Sequence, residues 1–415
     1  MESVAIVGGG CAGLVAAYLL RRRFEVTVFE PADHLGGHAH TVNIPRGPDQ
    51  GLALDVGFMV MNPRTYPLFY ALLSELGVSD LGPSEMSFGY WEPATGFQYA
   101  LNWDVADRTA GDLVSPALRP LLPAILRLQR EAKRVLVDGG DELTLGAFLE
   151  TRAVPHDVCA RYLLPMTGAI WSTDPRRMTD FPARRLFRFL DHHGLLSLDA
   201  PPRWQHVGGG SRRYVDAIVA SLPPGAVKRC AVRRVARTDG GVLVDSGEGG
   251  QRYARAVLAC HADQARALLE DATAAEADAL SAWTYQVNRG VLHTDASVMP
   301  PQRESWASWN AARTEEGGRV VATYHLNRLQ GHAAVREQYF LTLDPARPVD
   351  EERVVARVDF THPVYGPRCG DAQRVLREVS AEGRVHFCGS YMGDGFHEDA
   401  VRSAHDVARA LGAAA

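Results

Sequence analysis

The stretch "VAIVGGGCAGLVAAYLLRRRFEVTVFE", residues 4–30, limits the fold more than any other part of the chain. Residues 4–7 form an apolar run without polar interruption, as a strand buried on both faces requires. Gly8, Gly10 and Gly13 follow as G-x-G-x-x-G. In that spacing the first glycine permits a tight turn and the second lets backbone approach a pyrophosphate. The third lets a helix pack closely on the strand. Leu14, Ala17, Tyr18 and Leu20 give that helix an apolar face, and three arginines at 21–23 place cations at its negative end. A second strand, Glu25–Phe29, ends at Glu30, 17 residues past Gly13. A carboxylate there accepts hydrogen bonds from a ribose 2′-hydroxyl and repels a 2′-phosphate. The stretch predicts a Rossmann-like unit for NAD or FAD and disfavours NADP.

The rest of the chain narrows the class. Its 415 residues leave room for two or more domains. Hydrophobic residues at 46% and charged residues at 22% suit a soluble globular protein. A net charge of −5 gives no basic footprint for nucleic acid. Only Lys133 and Lys228 among 44 cationic residues are lysine, which we ascribe to arginine-rich codon usage. The six cysteines form no C-x-x-C pair and read as small apolar fillers in a reducing, cytoplasmic setting. The chain opens directly on a strand, as a protein without a signal peptide does, and no apolar run reaches membrane-spanning length. Contact with a membrane surface stays open. No metal site is expected: the adjacent histidines of "DHHG" do not share one helical face. Nor is there a G-x-S-x-G elbow.

The nucleotide domain is expected in three pieces, 1–75, 205–270 and 366–415. The second holds the "VGGGSRRYVDAIVASLP" turn and helix, a short strand at 230–235, and a hairpin feeding a buried strand. The third holds the strand "RVHFCG" and a final amphipathic helix. Two inserts separate them. Residues 76–204 read as mostly helical, and 271–365 carry the strand-like runs "RGVLHTD", "RVVATYHLN" and "EQYFLTL". The economical fold is α/β: a Rossmann-like, glutathione reductase-like nucleotide domain interleaved with a mixed α+β substrate domain, with ligand at their seam.

"GGHAHTV" and "LDVGF" follow Glu30, and with the opening motif this resembles the extended FAD signature of the flavin amine oxidase and phytoene desaturase superfamily. The blocks "NPRTYPLFYALLSELGV", "YLLPMTGAIWS", "FPARRLFRFLDHHGLLSL", "NRGVLHTDASVMP" and "FCGSYMGDGFHEDAVRSA" resemble a bacterial subfamily within it. Genes of that subfamily often neighbour cyclopropane fatty acid synthase-like methyltransferases. The resemblance implies an amine oxidase-like fold and FAD as cofactor. Three separated segments wrapping one ligand also suit a long flavin cofactor better than NAD. By resemblance Gly8, Gly10, Cys11, Ala12 and Gly13 cradle the pyrophosphate, and Glu30 holds the adenosine ribose. Gly36, Gly37 and His38 line the ribityl and flavin path. Val232 meets adenine through its backbone, and Gly389 and Ser390 face the pyrophosphate and ribityl chain. The last helix, opening near His397, is expected to aim the N–H groups of Glu398, Asp399 and Ala400 at the flavin, favouring negative charge there.

Amine oxidases of this superfamily place a lysine near the flavin and an aromatic cage beside it. Arg289 is aligned with that lysine and Phe396 with a cage tyrosine. Arginine stays protonated and cannot act as a neutral amine. Of the histidines, His192, His193, His261, His325 and His397 are candidates to carry a proton, His397 foremost for its place at the last helix. Apolar and aromatic groups such as Trp171, Phe187, Phe189, Leu195, Trp309 and Tyr324 crowd the inserts. The expected enzyme is an FAD-dependent oxidoreductase that removes hydride from an apolar, lipid or fatty-acyl-like substrate. The alternatives are a double-bond isomerase on the same class and an amine oxidase. Its partners would be that small molecule or acyl chain, with a membrane surface or a methyltransferase as a further one.

Overall fold

Strand Ser3–Val7 lies at the centre of a five-stranded parallel sheet in the order Val385–Phe387, Arg255–Leu258, Ser3–Val7, Glu25–Phe29, Val227–Lys228. These strands come from three separated stretches of the chain. Val4, Ala5, Ile6, Ala256, Val257 and Leu258 are fully buried, as a parallel sheet covered on both faces requires. The structure, a computed structural model, describes residues 1–102, 115–138, 143–171, 175–196, 202–247, 249–314, 319–332 and 334–413. The parts of the expected helical insert at 103–114, 139–142, 172–174 and 197–201 lie outside these residues.

Helix Cys11–Leu20 differs from its expected one-sided pattern: nine of its ten residues are buried. Helix His397–Ala410 and helix Arg212–Ala220 pack on it in addition to the sheet, so every side meets protein. Small residues at 12, 13, 16 and 17 permit that approach.

The second layer is a seven-stranded mixed sheet in the order Val354–Val364, Thr284–His293, Phe340–Leu343, Val320–His325, Trp309–Arg313, Ser87–Glu92, Phe97–Asn102. Its last two strands come from 76–204, a stretch that is otherwise mostly helical among its described residues, as read from the sequence. They form an antiparallel hairpin with Tyr90 opposite Tyr99 and Phe88 opposite Leu101, turning through Gly96 at φ +71°. Ser87–Glu92 also pairs parallel to Trp309–Arg313, so both inserts build one sheet. The remainder of the first insert supplies helices Leu122–Asp138, Leu145–Thr151, Leu164–Ile170 and Ala183–His192.

Asp55, of the "LDVGF" block, ties the layers together. Its buried carboxylate accepts from Thr41 Oγ1 (2.6 Å), Ser211 Oγ (2.7 Å) and Ser211 N (2.9 Å). Its backbone exchanges two hydrogen bonds with the Gln330 amide, at 2.9 and 2.8 Å. Burial outweighs those hydrogen bonds and raises the Asp55 pKa to about 6.

Candidate active site

A cavity of about 680 Å³ runs between the two sheets and draws its lining from both. That lies within the usual range for cofactor and ligand sites. One end is the glycine loop. Gly8 sits at φ +114°, and a Cβ there would meet the Ala259 carbonyl oxygen at 2.5 Å. A Cβ on Gly13 would lie 2.0 Å from the Gly8 carbonyl oxygen. At Gly10 the nearest atom to an added Cβ is Gly37 Cα, 3.9 Å away. Gly10 thus opens onto the cavity, and Gly8 closes the turn. Gly13, given to the cradle by the resemblance, stands behind the wall and fixes helix to strand instead.

Gly36 donates its N–H to the Gly9 carbonyl at 2.8 Å, which lays the second glycine pair against the first loop. Glu30 accepts from Gly9 N (2.7 Å) and Ala32 N (2.9 Å) while lining the cavity. Cys11, Ala12, Gly37, Val232, Gly389 and Ser390 line it too. Gly389 is pinned by donating to Ser403 Oγ at 2.9 Å. Burial pushes the thiols of Cys11, Cys260 and Cys388 up to about 12. They are protonated, apolar fillers at neutral pH.

Histidines and aromatic rings form the middle of the cavity. His38 lies 4.9 Å from His362 and 5.0 Å from Phe360 between ring centroids. Its Nε2 is buried and has no hydrogen-bond partner among the described residues. Burial and the neighbouring imidazoles hold its pKa well below the ordinary value. His397 stacks on Phe58 at 3.8 Å and meets the Tyr214 hydroxyl at 2.8 Å. Burial lowers its pKa to about 3, so it stays neutral through physiological pH. It stands in the cavity wall as a neutral imidazole hydrogen-bonded to Tyr214. Phe396 stacks on Phe189 at 4.3 Å and lies 5.6 Å from Trp171 in the cavity wall.

The last helix, His397–Ala410, abuts the cavity through His397 and Ala400, but its first turn differs in detail from expectation. The N–H groups of Asp399 and Ala400 turn back to the Phe396 carbonyl, at 3.0 and 3.2 Å. The Asp399 carboxylate accepts from Asp394 N and Phe396 N. Glu398 accepts from Leu68 N and Phe69 N. Asp399 braces the turn, Glu398 ties the last helix to the start of helix Pro67–Glu75, and neither lines the cavity.

Arg289 is a further correction. It is exposed and lies outside the cavity lining. Successive side chains on a strand point to opposite faces, so a one-residue difference in register changes sides. Asn288 is the buried neighbour, and its amide lies 2.6 Å from His362 Nδ1. His362, whose pKa burial lowers to about 4, lines the cavity with Thr361 and Tyr285. Sequence reasoning missed His362, Asn288, Phe58 and Tyr214. They come from four distant segments, and no spacing links them. Of the other histidine candidates, His261 and His193 line the cavity. His325 is engaged with Gln338 at 2.7 Å beneath Trp306, away from it.

The far end is apolar, formed by Met86, Phe88, Met166, Ile170, Leu195 and Trp309 among others. The turn carrying Gly395 and Phe396 is held by Arg185, which is buried and bonds Asp394 Oδ1 at 2.7 Å. Gln373 adds hydrogen bonds to the carbonyls of Tyr391 and Gly393.

A glycine cradle at the carboxyl edge of a parallel sheet, an acid at the end of the next strand and a channel leading to an apolar chamber define the site of a flavoenzyme. The cradle that a Cβ at Gly10 would obstruct, and the orphaned His38 Nε2, fit a long cofactor with hydrogen-bonding atoms along its length. The chain matches the flavin-containing amine oxidoreductase family over residues 11–412 and belongs to it. It is therefore an FAD-binding oxidoreductase with an amine oxidase-like fold. A protein of Mycobacterium tuberculosis named as a flavin-containing monoamine oxidase, AofH, is 30% identical over 264 residues, covering 59% of this chain and 54% of that protein. The chain spans about half the length of such curated relatives. Cyclohexylamine oxidase from Brevibacterium oxydans IH-35A shares the fold with a TM-score of 0.74 at 17% identity, over 99% of this chain and 98% of its own. A CLA-producing fatty acid isomerase from P. acnes does so at 0.67 and 17%, over 98% of both chains.

Proposed function

We propose that this oxidoreductase acts on an apolar, lipid- or acyl-chain-like substrate, in a desaturation or a double-bond shift. The observation that carries this reading is the composition of the cavity wall. Among the described residues its one carboxylate is Glu30, at the ribose end, and it holds no lysine or arginine. Among the described residues nothing charged stands in the apolar end to meet an ammonium group, and its methionine, isoleucine and aromatic faces suit a hydrocarbon chain. The fold shared with a fatty acid isomerase supports the same reading. When bound, FAD accepts a hydride from a substrate carbon. The chain's residues exclude water and fix the angle of approach: Phe58 and His397 on one wall, Phe396 and Phe189 on another. Desaturation would also require a proton to leave the adjacent carbon, whereas isomerisation would move the double bond with no net loss of hydrogen.

The test is anaerobic mixing of FAD-loaded protein with unsaturated acyl substrates, read at the oxidised-flavin absorbance band. Bleaching with a product two hydrogens lighter supports desaturation, and turnover at constant mass supports isomerisation. Bleaching by alkylamines but by no lipid refutes the reading.

A further inference from the structure

A second chamber of about 460 Å³ abuts the first and opens to the surface. The two share Tyr66, Phe189, His193 and Phe396 as a common wall. Within it His193 stacks on Phe189 at 3.8 Å, and Phe189 on Phe396 at 4.3 Å. The outer chamber is polar where the inner one is apolar. Its lining includes Arg64, Arg188, Arg402, Asp394, Glu398 and Asp399.

The acids there are already committed. Asp394 is held at 2.7 Å by Arg185 from behind. Glu398 takes two backbone N–H groups and pairs with Arg402 at 3.1 Å. Asp399 takes two more backbone N–H groups, and burial beside Asp394 brings it to about 7, so it is only partly ionised at neutral pH. The cations are not balanced in the same way. Among the described residues Arg188 pairs with Asp394, at 3.7 Å, and shares it with Arg185. Arg64 is exposed, forms no ion pair among the described residues, and stands close enough to His193 to disfavour its protonated form. Two guanidinium groups thus face one mouth with spare donors, just outside a ring-stacked wall that leads to the apolar chamber.

We infer that Arg64 and Arg188 bind the anionic head of an amphiphilic substrate, a carboxylate or a phosphate, while its chain passes the Phe189–Phe396 wall into the inner chamber. A guanidinium offers paired N–H donors that match either anion. This rests on the acyl-chain reading above and adds the head that orients the chain. Hydrogen bonds to charged groups contribute enough to give a preference of about tenfold or more over a neutral head.

The test compares oleate, oleoyl-lysophosphatidate, methyl oleate and oleylamine as ligands of the FAD-loaded full chain, by titration of the flavin spectrum. Oleate or the phosphate should bind at least about tenfold tighter than methyl oleate, and the better of the two identifies the source of the anion. The preference should shrink as salt rises. In Arg64→Gln/Arg188→Gln the anion-to-ester ratio should fall to near one. The wild-type ligand series stands alone if that variant does not fold. Equal binding of oleate and methyl oleate overturns the inference and leaves the acyl-chain reading intact, as does a double variant that keeps the preference. Binding of neither overturns both. Oleylamine as the tightest ligand overturns both in favour of an amine substrate.

Discussion

Replacing Gly10 and Gly13 by alanine adds the same methyl group three residues apart, and the two changes should have opposite consequences. At Gly13 the new Cβ would stand 2.0 Å from the Gly8 carbonyl oxygen and 3.2 Å from the Ala259 side chain. Neither the buried helix nor the strand end can yield cheaply, so Gly13→Ala should cost about 3 kcal/mol, the upper end for overpacking. At Gly10 the backbone lies at φ −73°, ψ −178°, open to any residue. The nearest atom is 3.9 Å away, so the apoprotein should lose no more than about 1 kcal/mol, the capping difference between glycine and alanine. The methyl group would nonetheless enter the space where backbone must approach pyrophosphate, and FAD affinity should fall about a hundredfold. A ligand at 100 times its Kd stabilises the folded state by about 2.7 kcal/mol, and at its Kd by about 0.4 kcal/mol. Thermal unfolding with and without FAD separates the cases. Gly10→Ala should match the wild-type apoprotein yet gain little from FAD, and Gly13→Ala should melt early in both. Wild-type FAD affinity in Gly10→Ala would refute the assignment of the cradle. Wild-type stability in Gly13→Ala would refute the packing argument.

Two further outcomes follow from the site. Arg289→Gln should leave kcat/KM within about twofold, and Asn288→Ala, which strands His362, should lower it by about tenfold or more, near the 1.4 kcal/mol of one lost buried hydrogen bond; steady-state kinetics with the reverse ranking would restore Arg289 to the site. Asp55 holds its proton to about pH 6 in the folded chain against 3.8 ordinarily, so its contribution to stability is full below about pH 4 and lost as pH rises through 6. The unfolding free energy of wild type minus Asp55→Asn should therefore fall by about 2.5 kcal/mol from pH 4 to pH 8, and a flat difference would contradict the burial of that carboxyl.

What was legible in the sequence is what local sterics dictate. Gly8, Gly10 and Glu30 are fixed by rules that act over a few residues, and so the glycine loop and the acid could be placed without coordinates. Arg289 failed for a physical reason: along a strand a one-residue slip reverses the face, and nothing in "YQVNRGVLHTD" sets the register. Its neighbours on Val354–Val364 do. The hairpin of Tyr90 and Tyr99 carried its alternation openly. Its place in the large sheet depends on pairing with Trp309–Arg313, more than two hundred residues away. The outer chamber had no signature at all, since Arg64, Arg188 and Arg402 meet only through the tertiary fold.

The sheet order carries a consequence for biosynthesis. The edge strand Val385–Phe387 and the helix His397–Ala410 complete the parallel sheet and the cover over Cys11–Leu20. Translation proceeds from the other end, so that nearly all-apolar first helix must wait without its mate until residues 385–410 emerge. Such long-range closure is slow and leaves greasy surface open to misassociation. The cavity wall is likewise incomplete until that last stretch is in place, since Gly389, Ser390, Phe396 and His397 supply part of it.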